Sequence, residues 1–268
     1  MLSNIFLKTL RDMRRSLIWW SAGLVIFSLY FMTFFPSIQE SGEVWQDYMD
    51  NLPASAQALF GGEVDLSTIE GFLSVEVFSF FYPILLLTFA ISYGAGLIGS
   101  EEESGTLDLL LATPTPRWRV VIEKFGALVV FTLVTLAACY IGFLLGGIIA
   151  NIDEMDAARV LEGTLNMAPL ALFFAALALA ITGLRSGGRG LALGVTAGLA
   201  AFTYLIHAMA SVSNVPEWLQ RLSPWYYYGG NTVMREGVSA GHVALLLGLA
   251  AVLVAVAIWG LRRRDVSV

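Results

Sequence analysis

Residues 125–150 read FGALVVFTLVTLAACYIGFLLGGIIA, twenty-six consecutive positions without an Asp, Glu, Lys or Arg. A hydrocarbon core about 30 Å thick is crossed by about 20 helical residues, so the block is long enough to span a bilayer. In lipid every backbone polar group must find its partner within the segment, which makes such a block a helix. Working outward, five further blocks have the same character: residues 17–35, 77–98, 165–184, 190–212 and 243–261. The expected fold is an all-α integral membrane protein with six transmembrane helices, forming a single domain over residues 1–268.

The composition excludes the soluble alternative. Mean hydropathy is +0.74, and only 13% of residues are charged, against about a quarter in soluble chains. The apolar residues also come in long runs rather than at amphipathic spacing.

Basic residues set the expected orientation. Lys8, Arg11, Arg14 and Arg15 precede the first block, and Arg117, Arg119 and Lys124 lie between the second and third. Arg185 and Arg189 separate the fourth from the fifth, and Arg262, Arg263 and Arg264 follow the sixth. Twelve of the fifteen basic residues thus fall on one side, leaving Arg159, Arg221 and Arg235 on the other. The excess of Lys and Arg on one side marks the cytoplasmic face, so both termini are expected there. The net charge of −6 is concentrated in residues 36–76, the expected extracellular loop, which carries eight carboxylates and no Lys or Arg. Such a loop attracts cations, or is acidic simply because basic loops resist translocation; the topology rule favours the second reading. The dispersed N-terminal charges and the long first block do not fit a cleavable signal. Size and style point to a prokaryotic plasma membrane.

Residues 1–16 carry Leu2, Phe6, Leu10 and Met13 on one stripe, continued by Leu17, with Asn4, Lys8, Arg11 and Arg15 opposite. This spacing predicts an amphipathic helix lying in the membrane interface, an ordinary basic flank being the alternative. Trp19 and Trp20 follow where an interfacial aromatic belt belongs. Trp45, Tyr48, Leu52, Leu59 and Phe60 make the 36–76 loop too apolar for a linker and suggest short surface helices. Gly190, Gly194 and Gly198, like Gly142 and Gly146, recur every four residues, which lets helices approach closely within or between subunits. Pro83 removes a backbone donor early in the second span and should bend it.

Chemistry-bearing patterns are scarce. Gly94-Ala95-Gly96-Leu97-Ile98-Gly99 matches a dinucleotide-binding glycine pattern, but it closes a membrane span rather than joining a strand to a helix. No glycine-rich loop ends in Lys-Ser or Lys-Thr. His207 and His242 lack ligand partners at metal-binding spacing, so no metal site and no catalytic residues are expected. The single Cys139 precludes an intrachain disulfide and reads as packing. No carboxylate or cation lies at membrane depth, so energy for moving a solute would come from elsewhere.

The most specific segment spans residues 99–124, between the second and third spans. Glu101, Glu102 and Glu103 sit at a helix end, a Gly105-Thr106 break follows, and Leu107, Leu109, Leu110 and Leu111 form a short apolar helix in need of a partner surface. Thr115 suits an N-cap, with Pro116 at the first helical position.

The stretch EEESGTLDLLLATPTPRWRVVIEKF, residues 101–125, resembles the cytoplasmic loop of ABC-2 type permeases, the membrane subunits of ATP-binding-cassette exporters. The shared pattern is a Glu, then Gly105-Thr106-Leu107, a leucine-rich turn around Leu110, Pro114, Arg117, and Lys124 opening the next span. The resemblance extends along the chain, through LSPWYYYGG at residues 222–230 to Arg263-Arg264-Asp265. It implies two permease subunits, as a homodimer or paired with a homologous chain, and two separately encoded ATPase subunits. ATP and Mg would bind on the ATPase, and this chain would hold no cofactor and contact no nucleic acid. A coupling helix within residues 104–116 would seat in a groove of the ATPase. Glu101, Glu102 and Glu103 at its root would pair with the ATPase, or with Arg117 and Arg119, a solvated helix end being the alternative. The interfacial helix with Lys8, Arg11 and Arg15 would also touch the ATPase. Residues 213–242 would re-enter the membrane as short helices, with Trp225, Tyr226 and Tyr227 at an external gate or in a plain aromatic belt. A path lined by the second and fifth spans would pass a hydrophobic or amphipathic substrate outward. The competing reading is a non-transporting scaffold or sensor subunit of a related ATPase complex.

Overall fold

The computed structural model describes residues 4–40, 51–53, 68–107, 115–210, 216–230 and 232–263. The regular structure in them is helical: α1 (Ile5–Glu40), α2 (Ile69–Glu103), α3 (Arg117–Ile149), α4 (Ala157–Leu184), α5 (Arg189–Met209), α6 (Glu217–Gln220), α7 (Pro224–Tyr228), α8 (Val233–Glu236) and α9 (Ala240–Arg263). Six of these, α1 to α5 and α9, are long and apolar enough to cross a membrane. The described residues hold only helices as regular structure, in a multi-pass membrane protein. Lys8, Lys124 and Arg189 gather around the C-terminus of α2, and Arg117 reaches the C-terminus of α9. This side of the bundle is the basic end.

α4 is the central helix, buried along most of its length and packed against α2, α3, α5 and α9. Small residues make its crossing with α9 possible. A Cβ on Gly260 of α9 would come within 2.7 Å of the Gly183 carbonyl, and one on Gly183 would meet the Ala257 backbone at 2.8 Å. The other extensive pairing is α1 with α3. There Gly142 admits Ser28 and Val25, and Gly146 admits Met32, each at distances an added methyl could not share. By contrast, a Cβ on Gly190, Gly194 or Gly198 would meet nothing within 4 Å, so this stripe of α5 packs against no other described part of the chain.

Two expectations about local structure change. No break separates residues 1–16 from the first span: α1 continues unbroken from Ile5 to Glu40, thirty-six residues or about 54 Å at 1.5 Å per residue. Part of the apolar stripe that predicted an interfacial helix packs within the protein. Met13 is buried, and the Phe6 ring reaches Gly126 of α3. The Phe6 amide also donates to Glu123 Oε2 at 3.1 Å.

The second change concerns α2, which begins at Ile69 rather than 77 and winds as a π-helix over Leu73–Phe81. Pro83 follows at the start of the α-helical stretch Tyr82–Glu103. A proline lacks an N–H and its ring crowds the carbonyl four residues back. The wider π turn takes up that conflict, with the Tyr82 amide donating to Val77, five residues back.

Candidate functional site

The C-terminus of α2 is built by the sequence Glu101-Glu102-Glu103-Ser104-Gly105-Thr106. The Thr106 amide donates to the Glu101 carbonyl at 2.8 Å and the Gly105 amide to Glu102 at 3.0 Å. These are the paired bonds of a Schellman stop, and they require Gly105 in the left-handed region, where it sits at φ 68°. The helix therefore ends sharply where the chain enters residues 104–116. Leu107, just beyond, is buried within this chain. Leu109, Leu110, Leu111 and Pro114 of the expected coupling helix lie outside the described residues.

Each glutamate at this stop reaches a different neighbour. Glu101 Oε1 lies 2.7 Å from Lys124 Nζ of α3 and 3.5 Å from Lys8 Nζ of α1. The Lys124 side chain is only 6% exposed and also donates to the Leu97 carbonyl at 2.7 Å. A lysine so enclosed requires a partner, because an unpaired buried ammonium is heavily penalised. Glu102 accepts from the Ser186 hydroxyl in the turn before α5, and Glu103 pairs with Arg189 at the first position of α5. The end of α2 is thus tied to α1, α3 and α5 at once.

Within the chain the three glutamates meet neighbours other than the expected Arg117 and Arg119. Among the described residues their ion pairs run to Lys124, Lys8 and Arg189, not to Arg117 and Arg119. Arg119 pairs with Glu123 one turn along α3 at 2.6 Å. Arg117 donates to the carbonyls of Leu261 at 2.8 Å and Arg262 at 3.3 Å, binding the end of α9. The N-cap of α3 is Pro116 rather than Thr115, one residue later than expected, and no side chain caps it. Arg11 and Arg15 are exposed on α1.

At the opposite end, residues 216–236 form the short helices α6, α7 and α8. α7 is sewn to three spanning helices. Trp225 Nε1 donates to the Ala200 carbonyl at 3.1 Å and Ser223 Oγ to Thr203 at 2.9 Å, both on α5. Asn166 of α4 donates to the Tyr228 carbonyl at 2.7 Å, and Tyr228 OH donates to Phe78 of α2 at 2.7 Å. Burial pushes the Tyr228 phenol well above its ordinary pKa and keeps it a donor. Trp225 is therefore a packed anchor, whereas Tyr226 and Tyr227 are half-buried against His242.

Sequence reasoning singled out the glutamates, Gly105 and the aromatic run, but not Ser186, Arg189, Asn166 or Phe78 as their partners. Lys124 carried the only signal, a cation pressed against the edge of a 26-residue apolar block. Among the described residues no group of three or more His, Cys, Asp and Glu side chains is placed to hold a metal.

A family model described as "Multidrug efflux system permease Rv1217c, C-terminal domain" matches residues 2–262. No curated protein matches the chain.

Proposed function

Because the chain belongs to the family of the multidrug efflux system permease Rv1217c C-terminal domain, we propose that it is the permease subunit of an ABC-2 type exporter, moving hydrophobic or amphipathic compounds outward. The basic end faces the cytoplasm of a prokaryotic cell, and a separately encoded ATPase, holding ATP and Mg, docks beneath it. Two permease copies enclose the path, with the unpacked glycine stripe of α5 between them. The chain itself transports and performs no chemistry.

One observation carries this reading: the stop at Gly105 is where the chain leaves α2 toward the proposed coupling segment, and the same stop is ion-paired to α1, α3 and α5. Force applied to residues 104–116 passes through the glutamates into four helices together, so a short external push tilts the bundle rather than fraying one helix. Aromatic anchors of α7 hold the far ends of α2, α4 and α5, so opening outward requires those bonds to yield.

Gly105→Asp tests the coupling role. An aspartate at φ 68° is strained and opens the Schellman stop, but none of the described residues lies within 4 Å of an added Cβ for it to clash with. ATP-driven uptake into inverted vesicles should fall at least tenfold while ATPase binding and folding persist. Undiminished uptake refutes the coupling role, and ATP hydrolysis without any uptake in the unaltered complex favours a non-transporting subunit.

A further inference from the structure

One side of α1 is exposed from its basic end to well past its middle. Arg11, Arg15, Ile18, Ile26 and Tyr30 are exposed on it, at spacings that return to the same side of a helix. Ile18, Ile26, Tyr30 and the adjoining Trp19 are each more than half exposed. The stripe is apolar from Ile18 onward and basic at Arg11 and Arg15, with the exposed Arg14 beside them.

These three guanidiniums stand apart from the other cations of the basic end. Lys8 and Lys124 meet Glu101, Arg119 meets Glu123, and Arg189 meets Glu103. Arg11, Arg14 and Arg15 have no ion pair among the described residues. Asp12, the carboxylate closest to them in sequence, lines the cleft between α1 and α2 together with Lys124 and Arg189. The triad is therefore an excess of positive charge at the end of an apolar track.

Depth in the bilayer completes the match. Exposed Trp side chains settle at the boundary between hydrocarbon and headgroups, which puts Trp19 at that level. Arg15 and Arg14 lie about 6–8 Å from Trp19 along the helix axis, toward the N-terminus, and Arg11 about 12 Å. Headgroups add about 5–7 Å to each face of the hydrocarbon core. Arg14 and Arg15 thus fall at the depth of lipid phosphates, while Ile18 and Ile26 run beside acyl chains. Guanidinium binds phosphate oxygens with two parallel hydrogen bonds, and clustered cations at this depth favour anionic lipid. A second copy fits this face poorly. A two-fold axis along the membrane normal sets the same patch against itself, and arginine facing arginine is repulsive.

We infer that this face of α1 binds an anionic phospholipid of the leaflet at the basic end, its headgroup held by Arg11, Arg14 and Arg15 and an acyl chain lying along Ile18 and Ile26. The site stands on membrane insertion alone and holds whether or not the chain moves a solute.

Trp19 provides the reporter. The purified full chain, without ATPase, is placed in phosphatidylcholine vesicles containing a minor share of phosphatidylglycerol, with bromine on the acyl chains of one lipid or the other. Bromine quenches tryptophan on contact, and subtracting the signal of Trp19→Phe isolates Trp19. The expected result is quenching that corresponds to phosphatidylglycerol enriched at least threefold over its share of the bilayer. Arg14→Gln combined with Arg15→Gln retains Lys8 and Arg11 for orientation. It should abolish most of the enrichment at an unchanged melting temperature in pure phosphatidylcholine. On the unaltered protein, raising salt from about 0.1 M to about 1 M shortens the Debye length from about 10 Å to about 3 Å and should at least halve the enrichment. Quenching in proportion to bulk composition overturns the site, and so does enrichment that survives the double variant. Trp19 quenched by neither brominated lipid shows that protein covers this face and overturns it as well.

Discussion

The hydroxyl of Tyr228 donates to the main-chain oxygen of Phe78 at 2.7 Å, across 150 residues of sequence. That oxygen has no helical donor. The amide four residues on, Tyr82, is committed to Val77, and the residue five on is Pro83, which has no N–H. A proline and a π turn together orphan one carbonyl inside α2, and the short helix α7 supplies its partner. An added methyl on Gly230, two residues on, would come within 2.5 Å of the same oxygen, so the loop is fitted to this point.

Tyr228→Phe should therefore cost about 1–3 kcal/mol, the penalty for a buried acceptor left without a donor. In a Pro83→Ala background residue 83 regains an N–H, and the cost of Tyr228→Phe should shrink. Thermal melts of the four proteins in one detergent measure the difference. Equal costs in both backgrounds would show that Pro83 does not create the orphan.

The ion pair at the other end of α2 yields a second expectation. Lys124→Met leaves the Glu101 carboxylate with only the half-exposed Lys8, at 3.5 Å, as counter-charge among the described residues. Stability should fall by about 2 kcal/mol, less than for a fully enclosed pair because Glu101 retains some exposure. Adding Glu101→Gln to Lys124→Met should recover part of it, since the stranded charge is gone. A double variant less stable than Lys124→Met alone would contradict the pairing.

Six spans were legible from the sequence because a charge-free run of 20 or more residues has few physical alternatives. The Schellman stop was half legible: Gly-Thr announced a break, and the structure supplied its hydrogen bonds. The apolar face of residues 1–16 was legible, but not what covers it. A stripe such as Phe6, Leu10 and Met13 states that one face is apolar, not whether lipid or α3 covers it. Partners from distant segments, Arg189 for Glu103 and Tyr228 for Phe78, were invisible because a pattern along the chain does not report which ends meet. Pro83 did signal a missing donor, but not the carbonyl that would lack it.

The two glycine stripes should respond in opposite ways. Gly142→Val forces apart α1 and α3, where an added Cβ already falls 2.7 Å from Ser28 Cβ, and should destabilise the fold by about 1–3 kcal/mol as overpacking does. Gly194→Val meets no other described part of its chain, so the melt of the isolated chain should not change. If α5 faces a second copy as proposed, Gly194→Val should instead lower the dimer fraction seen by mass photometry in nanodiscs. An unchanged dimer fraction removes α5 from that interface.

The central claim, that a separate motor drives this chain through the end of α2, is tested most directly by ATP-driven ethidium uptake into inverted membrane vesicles. Vesicles holding the chain together with its co-purified ATPase should accumulate the dye on addition of ATP and Mg, and vesicles holding either component alone should not. Equal accumulation by the chain alone, with no ATPase present, would contradict the account.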